Sequence, residues 1–129
     1  MAESETLRRG RELRRQLMGE AFAERTDQTV YDDPLMHKFR DLTAETIFGS
    51  LWTRPGLDIR DRRLMTIGVL AALGQSQLVE IQFSAALERG ELSEDQVRET
   101  VVHLAHYIGW PLSTGVNEVA ERVIAKRRA

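Results

Sequence analysis

Ile59-Arg60-Asp61-Arg62-Arg63-Leu64-Met65-Thr66-Ile67-Gly68-Val69-Leu70-Ala71-Ala72-Leu73-Gly74 is the stretch that decides the fold. At 3.6 residues per turn, Leu64, Met65, Ile67, Val69, Leu70 and Leu73 surround the axis of a helix over 59–73 almost completely. A helix apolar on all sides belongs at the centre of a core. Gly74 stops it. Immediately upstream lies Leu51-Trp52-Thr53-Arg54-Pro55-Gly56-Leu57, a Pro-Gly turn flanked by a cation and an indole. Backbone in such a turn is fixed yet accessible, which suits residues that touch a ligand.

Reading outward, residues 77–89 carry Val79, Phe83, Ala86 and Leu87 on one stripe and form a further helix, ended by Arg89-Gly90. Ser93-Glu94-Asp95-Gln96 is a capping box, and the helix it opens runs to Ile108 and Gly109. Pro111 opens the last helix, which closes on Lys126-Arg127-Arg128, cations suited to a helix C-terminus. Toward the N-terminus, residues 5–24 read as one helix, interrupted in pattern at Gly19, and 25–32 as turn. Asp33-Pro34 is an N-cap followed by a first-turn proline; its helix runs to about Phe48, with Gly49 as the stop. Strand signals are poor. The expected fold is all-α, a single domain over 1–129 with about six helices.

The chain has 129 residues, is 42% hydrophobic and 29% charged, and carries a formal net charge of -2 with no cysteine. The charge gives no reason to expect nucleic acid. The absence of thiols excludes disulfides and cysteine chemistry. Three histidines in no ligand spacing, and no phosphate or dinucleotide loop, point to no metal and no cofactor. No apolar run approaches the roughly 18 residues of a membrane span, and no signal segment opens the chain, so no membrane partner and a cytoplasmic location are expected. Burying an all-round apolar helix is demanding for a chain this short. Self-association would supply the missing cover, and covering by other helices of the same chain is the alternative.

The polar candidates lie on two helices and the turn. Val97, Val101, Leu104, Ala105 and Ile108 define a core stripe. Thr100, His103 and Tyr107 share its flank, with His103 and Tyr107 four residues apart. If the helices over 77–89 and 93–108 pack as antiparallel neighbours, Gln82 faces His103. A histidine moves a proton near neutral pH, and a glutamine orients or donates a hydrogen bond. His106 lies further round, and His37 sits in a charged helix. Arg54, Arg60, Arg62 and Arg63 cluster around the central turn. The forked donors of a guanidinium match the two oxygens of a carboxylate, and pairing with Asp58 and Asp61 is the plain alternative for Arg60 and Arg63. Trp52 lines a cavity or fills the core.

Five strings carry a family resemblance: Gly10-x-x-Leu13-Arg14-Arg15-x-Leu17-Met18-Gly19, Gly49-Ser50-Leu51-Trp52-Thr53-Arg54-Pro55-Gly56-Leu57, Arg62-x-Leu64-x-Thr66-Ile67, Ala85-Ala86-Leu87-Glu88-Arg89-Gly90 and Tyr107-x-Gly109-x-Pro111. Over roughly residues 8–123 the chain resembles the carboxymuconolactone decarboxylase family. The resemblance implies an all-helical subunit in a ring-like homo-oligomer, commonly a hexamer. It also implies a cofactor-independent decarboxylation of a carboxylated lactone such as 4-carboxymuconolactone to an enol-lactone and carbon dioxide. Such a reaction needs a cation for a carboxylate, donors for the developing enolate oxygen and one proton carrier. His103 and Gln82 are the expected catalytic pair. Arg54, Trp52, Tyr107, Arg62 and His106 are the expected substrate contacts.

The chain departs from the family where Gln82 and Phe22 stand in place of usual histidines and His103 in place of a common glutamine. The exchange keeps one proton carrier in a new position. Two alternatives stand beside the decarboxylase: a relative performing proton transfer, cyclisation or dehydration on a cyclic keto or lactone metabolite, and a noncatalytic oligomeric binding protein. The peroxidase-like branch of the family needs a Cys-x-x-Cys pair, which this chain lacks.

Overall fold

A computed structural model describes residues 3–28 and 34–129. All regular structure among them is helical: α1 (Glu5–Met18), α2 (Glu20–Gln28), α3 (Pro34–Thr43), a π-helical segment (Ala44–Leu51), α4 (Ile59–Ala72), α5 (Ser76–Glu88), α6 (Glu94–Ile108) and α7 (Trp110–Arg128). The all-α expectation holds. The chain divides into two compact units, Met1–Asp58 and Ile59–Ala129.

In the first unit, the Ser4 hydroxyl caps α1 by accepting from the Leu7 N–H at 3.0 Å. The helix expected over 5–24 is two helices. Gly19 adopts a φ of 95°, which L side chains rarely take, and breaks the axis. Helix resumes at Glu20 and continues through 25–28, which the sequence reads as turn. The expected cap at Asp33 lies outside the described residues, but Pro34 does open α3. Gly49 is not a stop. After Thr43 the coil widens into the π segment and continues to Leu51. The reason is close packing against α1. A Cβ on Gly10 would lie 1.9 Å from the Ala44 carbonyl oxygen, and one on Gly49 would lie 2.5 Å from that of Thr6. The two elements touch backbone to backbone, which only glycine permits. Trp52 is buried, with its ring centroid 6.3 Å from that of Phe48, so it fills the core of this unit.

The second unit packs α4 against α5, α6 and α7, and α7 against α5 and α6. The capping box forms as expected: Ser93 Oγ accepts from the Gln96 N–H at 3.1 Å, and Gln96 Oε1 accepts from the Ser93 N–H at 2.9 Å. Ile67, Phe83, Val97, Val101, Val116 and Ile124 are among the side chains that make one apolar core. Here α4 departs from the expectation. It buries only Arg63, Ile67 and Ala71, while Met65, Val69 and Leu73 are 57%, 55% and 67% exposed. Helices of the same chain cover one side of it and leave an apolar stripe bare. Among the described residues, no helix is long and apolar enough to cross a membrane.

Candidate active site

One face of α6 presents Gln96, Glu99, Thr100, His103 and Leu104, the i, i+3, i+4, i+7, i+8 spacing of a single helical stripe. Across from it, the first turns of α4 present Arg60, Leu64 and Met65. With Leu92 from the connection between α5 and α6, they line a depression of about 570 Å³. Every lining residue belongs to the second unit. The capping box fixes where α6 starts, and the packing of the helices decides that this stripe faces α4. His103 is exposed on the wall and stacks on Tyr107, with ring centroids 5.0 Å apart and planes at 25°.

Beside the depression lies an ionic cluster centred on a buried arginine. Arg63 is fully buried. It donates to Glu91 Oε1 through Nε at 2.8 Å, to Glu91 Oε2 through Nη2 at 3.2 Å, and to Gln82 Oε1 through Nη1 at 2.7 Å. Arg89 Nε donates to Glu91 Oε2 at 2.6 Å. Burial pushes the Glu91 carboxyl up, but the hydrogen bonds and charges of Arg63 and Arg89 outweigh it and hold the group below the ordinary carboxylate range. The same residue serves Arg60, whose Nε donates to the Glu91 backbone carbonyl at 3.1 Å. Arg60 and Arg63, for which the sequence offered Asp58 and Asp61 as alternative partners, thus both bind Glu91. Among the described residues, Arg60 has no carboxylate within ion-pair distance.

The structure brings some expected site residues together and separates others. His103 and Tyr107 meet. Gln82 does not line the depression; it is buried on α5, and its carbonyl turns to Arg63 of α4. The assumed packing of the two helices explains the difference. Among the described residues, the substantial neighbours of both α5 and α6 are α4 and α7. His103 thus faces α4. His106 is exposed, with Nδ1 2.8 Å from the Val102 carbonyl and its ring edge-on to Trp110 at 5.4 Å. Arg62 is half-buried and outside the lining. Arg54 is an exposed residue of the first unit. From sequence, Arg60 was one of four clustered arginines with no site role of its own, and Gln96 and Glu99 were not singled out as site residues. For Gln96 and Glu99 the signal was available, since both fall on the stripe that carries His103.

Residues 34–122 match the carboxymuconolactone decarboxylase family, and the chain belongs to it. The chain is similar to the 4-carboxymuconolactone decarboxylase of Acinetobacter baylyi, 29% identical over 123 residues, covering 95% of this chain and 90% of that protein. It is also similar to the nitrosuccinic acid decarboxylase of Metarhizium robertsii, 29% identical over 117 residues, covering 89% of this chain and 78% of that one. Membership ties the chain to decarboxylase chemistry on small carboxylated metabolites.

Proposed function

We propose that the chain is a cofactor-independent decarboxylase of a carboxylated lactone such as 4-carboxymuconolactone, and that His103 is its proton carrier. The observation that carries the reading is the depression itself: an imidazole and a guanidinium with no carboxylate partner among the described residues, set over Leu64, Leu92 and Leu104. In 4-carboxymuconolactone, the bond to the leaving carboxylate is conjugated with the lactone carbonyl. Its electron pair passes into a dienolate as carbon dioxide departs. A proton delivered to carbon then gives the enol-lactone. His103 supplies that proton, directly or through a water, and the Gln96 side-chain N–H on the same stripe faces the developing oxygen charge, while the Thr100 hydroxyl donates to the Gln96 backbone carbonyl. Tyr107 steadies the imidazole by stacking. Gln82 serves from behind by holding Arg63. Arg62 and His106 are second candidates for substrate contact.

The depression is open in one chain, and decarboxylation gains from exclusion of water. The bare stripe of Met65, Val69 and Leu73 begins at its rim, with Val102 also half-exposed on α6. The proposal therefore includes a homo-oligomer, a hexamer by the family resemblance, in which another copy covers this face.

A second reading rests on the relative that is a nitrosuccinic acid decarboxylase. Nitrosuccinic acid also places an electron-withdrawing group where it accepts the pair left by carbon dioxide. The same residues would serve a different carboxylated substrate. The experiment is carbon dioxide release by the purified chain from 4-carboxymuconolactone and, separately, from nitrosuccinic acid. Release from the lactone supports the first reading, and release from the nitro acid alone supports the second. Release from neither would leave a relative performing proton transfer, cyclisation or dehydration on a cyclic keto or lactone metabolite, or a noncatalytic binding protein.

A further inference from the structure

We infer that Arg60 is the carboxylate anchor of this depression, and that it holds the carboxylate the substrate keeps rather than the one it loses. The inference rests on the reading of the depression as the reacting site and adds which end of the substrate lies where. Three observations meet at this side chain. Arg60 lines the same depression as His103. Its Nε is tied to the Glu91 carbonyl, which uses one of its five N–H donors and fixes the plane of the fork. No carboxylate among the described residues neutralises it, although Asp58 and Asp61 lie within two residues in sequence. A tethered, un-neutralised guanidinium on the edge of an apolar floor is suited to bidentate capture of a carboxylate.

The tether is itself held. Glu91 is gripped by Arg63 and Arg89, and Arg63 by the Gln82 carbonyl. Gln82, Arg63 and Glu91 are thus positioning residues for Arg60. The assignment to the retained carboxylate follows from charge. A cation on the leaving group stabilises the ground state and loses its partner as neutral carbon dioxide forms, so it raises the barrier. A cation on the retained carboxylate binds ground and transition states alike and spends nothing. Glu99 lies on the opposing wall, one turn before His103. Its carboxylate disfavours a second anion being held firmly at that end. The ligand class is a small diacid or carboxylated lactone. One carboxylate sits on Arg60, the ring lies over the leucines, and the reacting end faces His103.

The test is a binding measurement by calorimetry on the purified full chain. The probes are 5-oxotetrahydrofuran-3-carboxylate, a lactone with one carboxylate, and neutral γ-butyrolactone. The His103 ring resonances are followed by NMR in the same titrations. The carboxylate should bind about 10- to 100-fold tighter than the neutral lactone and shift the His103 resonances. Arg60→Gln should abolish that preference, Arg60→Lys should keep part of it, and Arg54→Gln should keep all of it. A preference that survives Arg60→Gln, that vanishes in Arg54→Gln, or that is absent from the wild type overturns the anchor. Loss of the decarboxylase reading has a different signature. An Arg60-dependent preference without release of carbon dioxide from any diacid upholds the anchor and removes the reaction. Release with unchanged KM and kcat in Arg60→Gln upholds the reaction and removes the anchor.

Discussion

At the residue scale, two side chains answer to different measurements. His103 is exposed and stacked on Tyr107, so replacing it disturbs little packing. His103→Gln should stay folded yet lose about 100- to 10,000-fold in turnover, the usual cost of removing a general acid. Rates within twofold of wild type would remove it from the mechanism, and collapse in His106→Gln instead would move the role there. Glu91 is a stability residue. Its folded-state carboxyl is held below its unfolded value of about 4.3, so it contributes stability above that pH. As pH falls below about 4.3 and through the lower folded value, that contribution is lost. Urea unfolding between pH 6 and pH 3 should show stability falling with acidity more steeply in wild type than in Glu91→Gln. Equal slopes would count against the pairing. Arg63→Ala leaves the partly buried Glu91 carboxylate with Arg89 and the buried Gln82 carbonyl without its donor, and should cost about 1–3 kcal/mol.

At the element scale, the crossing of α1 and the π segment depends on two absent side chains. Gly10→Ala puts a methyl group 1.9 Å from the Ala44 carbonyl oxygen, where backbone, not a flexible side chain, must yield. Overpacking of this kind costs about 1–3 kcal/mol or more. The midpoint of urea unfolding should fall accordingly, while Gly56→Ala, with nothing within 4 Å of the added carbon, should leave it nearly unchanged. Gly49 shows why such elements are hard to read. The same residue type that stops a helix also admits a close neighbour, and only the neighbour's position tells the two apart. The π segment has a similar origin. Its extra residue per turn is invisible to apolar periodicity, since the buried Ala44, Phe48 and Gly49 fit an ordinary helical face as well.

At the scale of the whole molecule, the bare apolar surface is the feature that asks for a second copy. On α3, Leu35 and Phe39 are 73% and 61% exposed, and α4 exposes Met65, Val69 and Leu73. Each unit thus carries exposed apolar side chains of the kind the proposed homo-oligomer would cover. Light scattering should find a homo-oligomer at micromolar concentration, and Val69→Asp should shift it toward smaller species without unfolding the chain. A wild-type monomer would refute the assembly. An oligomer unaltered by Val69→Asp would place the contact elsewhere.

The amino-acid sequence alone determined the helical class, most helix ends after Pro34, the capping box at Ser93 and the stripe that carries His103 and Tyr107. All of these follow from local chemistry: the spacing of apolar residues, the reach of a serine hydroxyl, the backbone demands of proline and glycine. Family membership was legible for a related reason, because turn strings such as Trp52 to Leu57 keep their spacing within one stretch of chain. Tertiary structure alone decided which helix His103 faces, that Gln82 turns to Arg63, and that Glu91 organises both Arg63 and Arg60. Those pairings join residues 19 to 31 positions apart across helix faces. Helical periodicity says that a face exists. Which other face meets it depends on how all the helices pack at once.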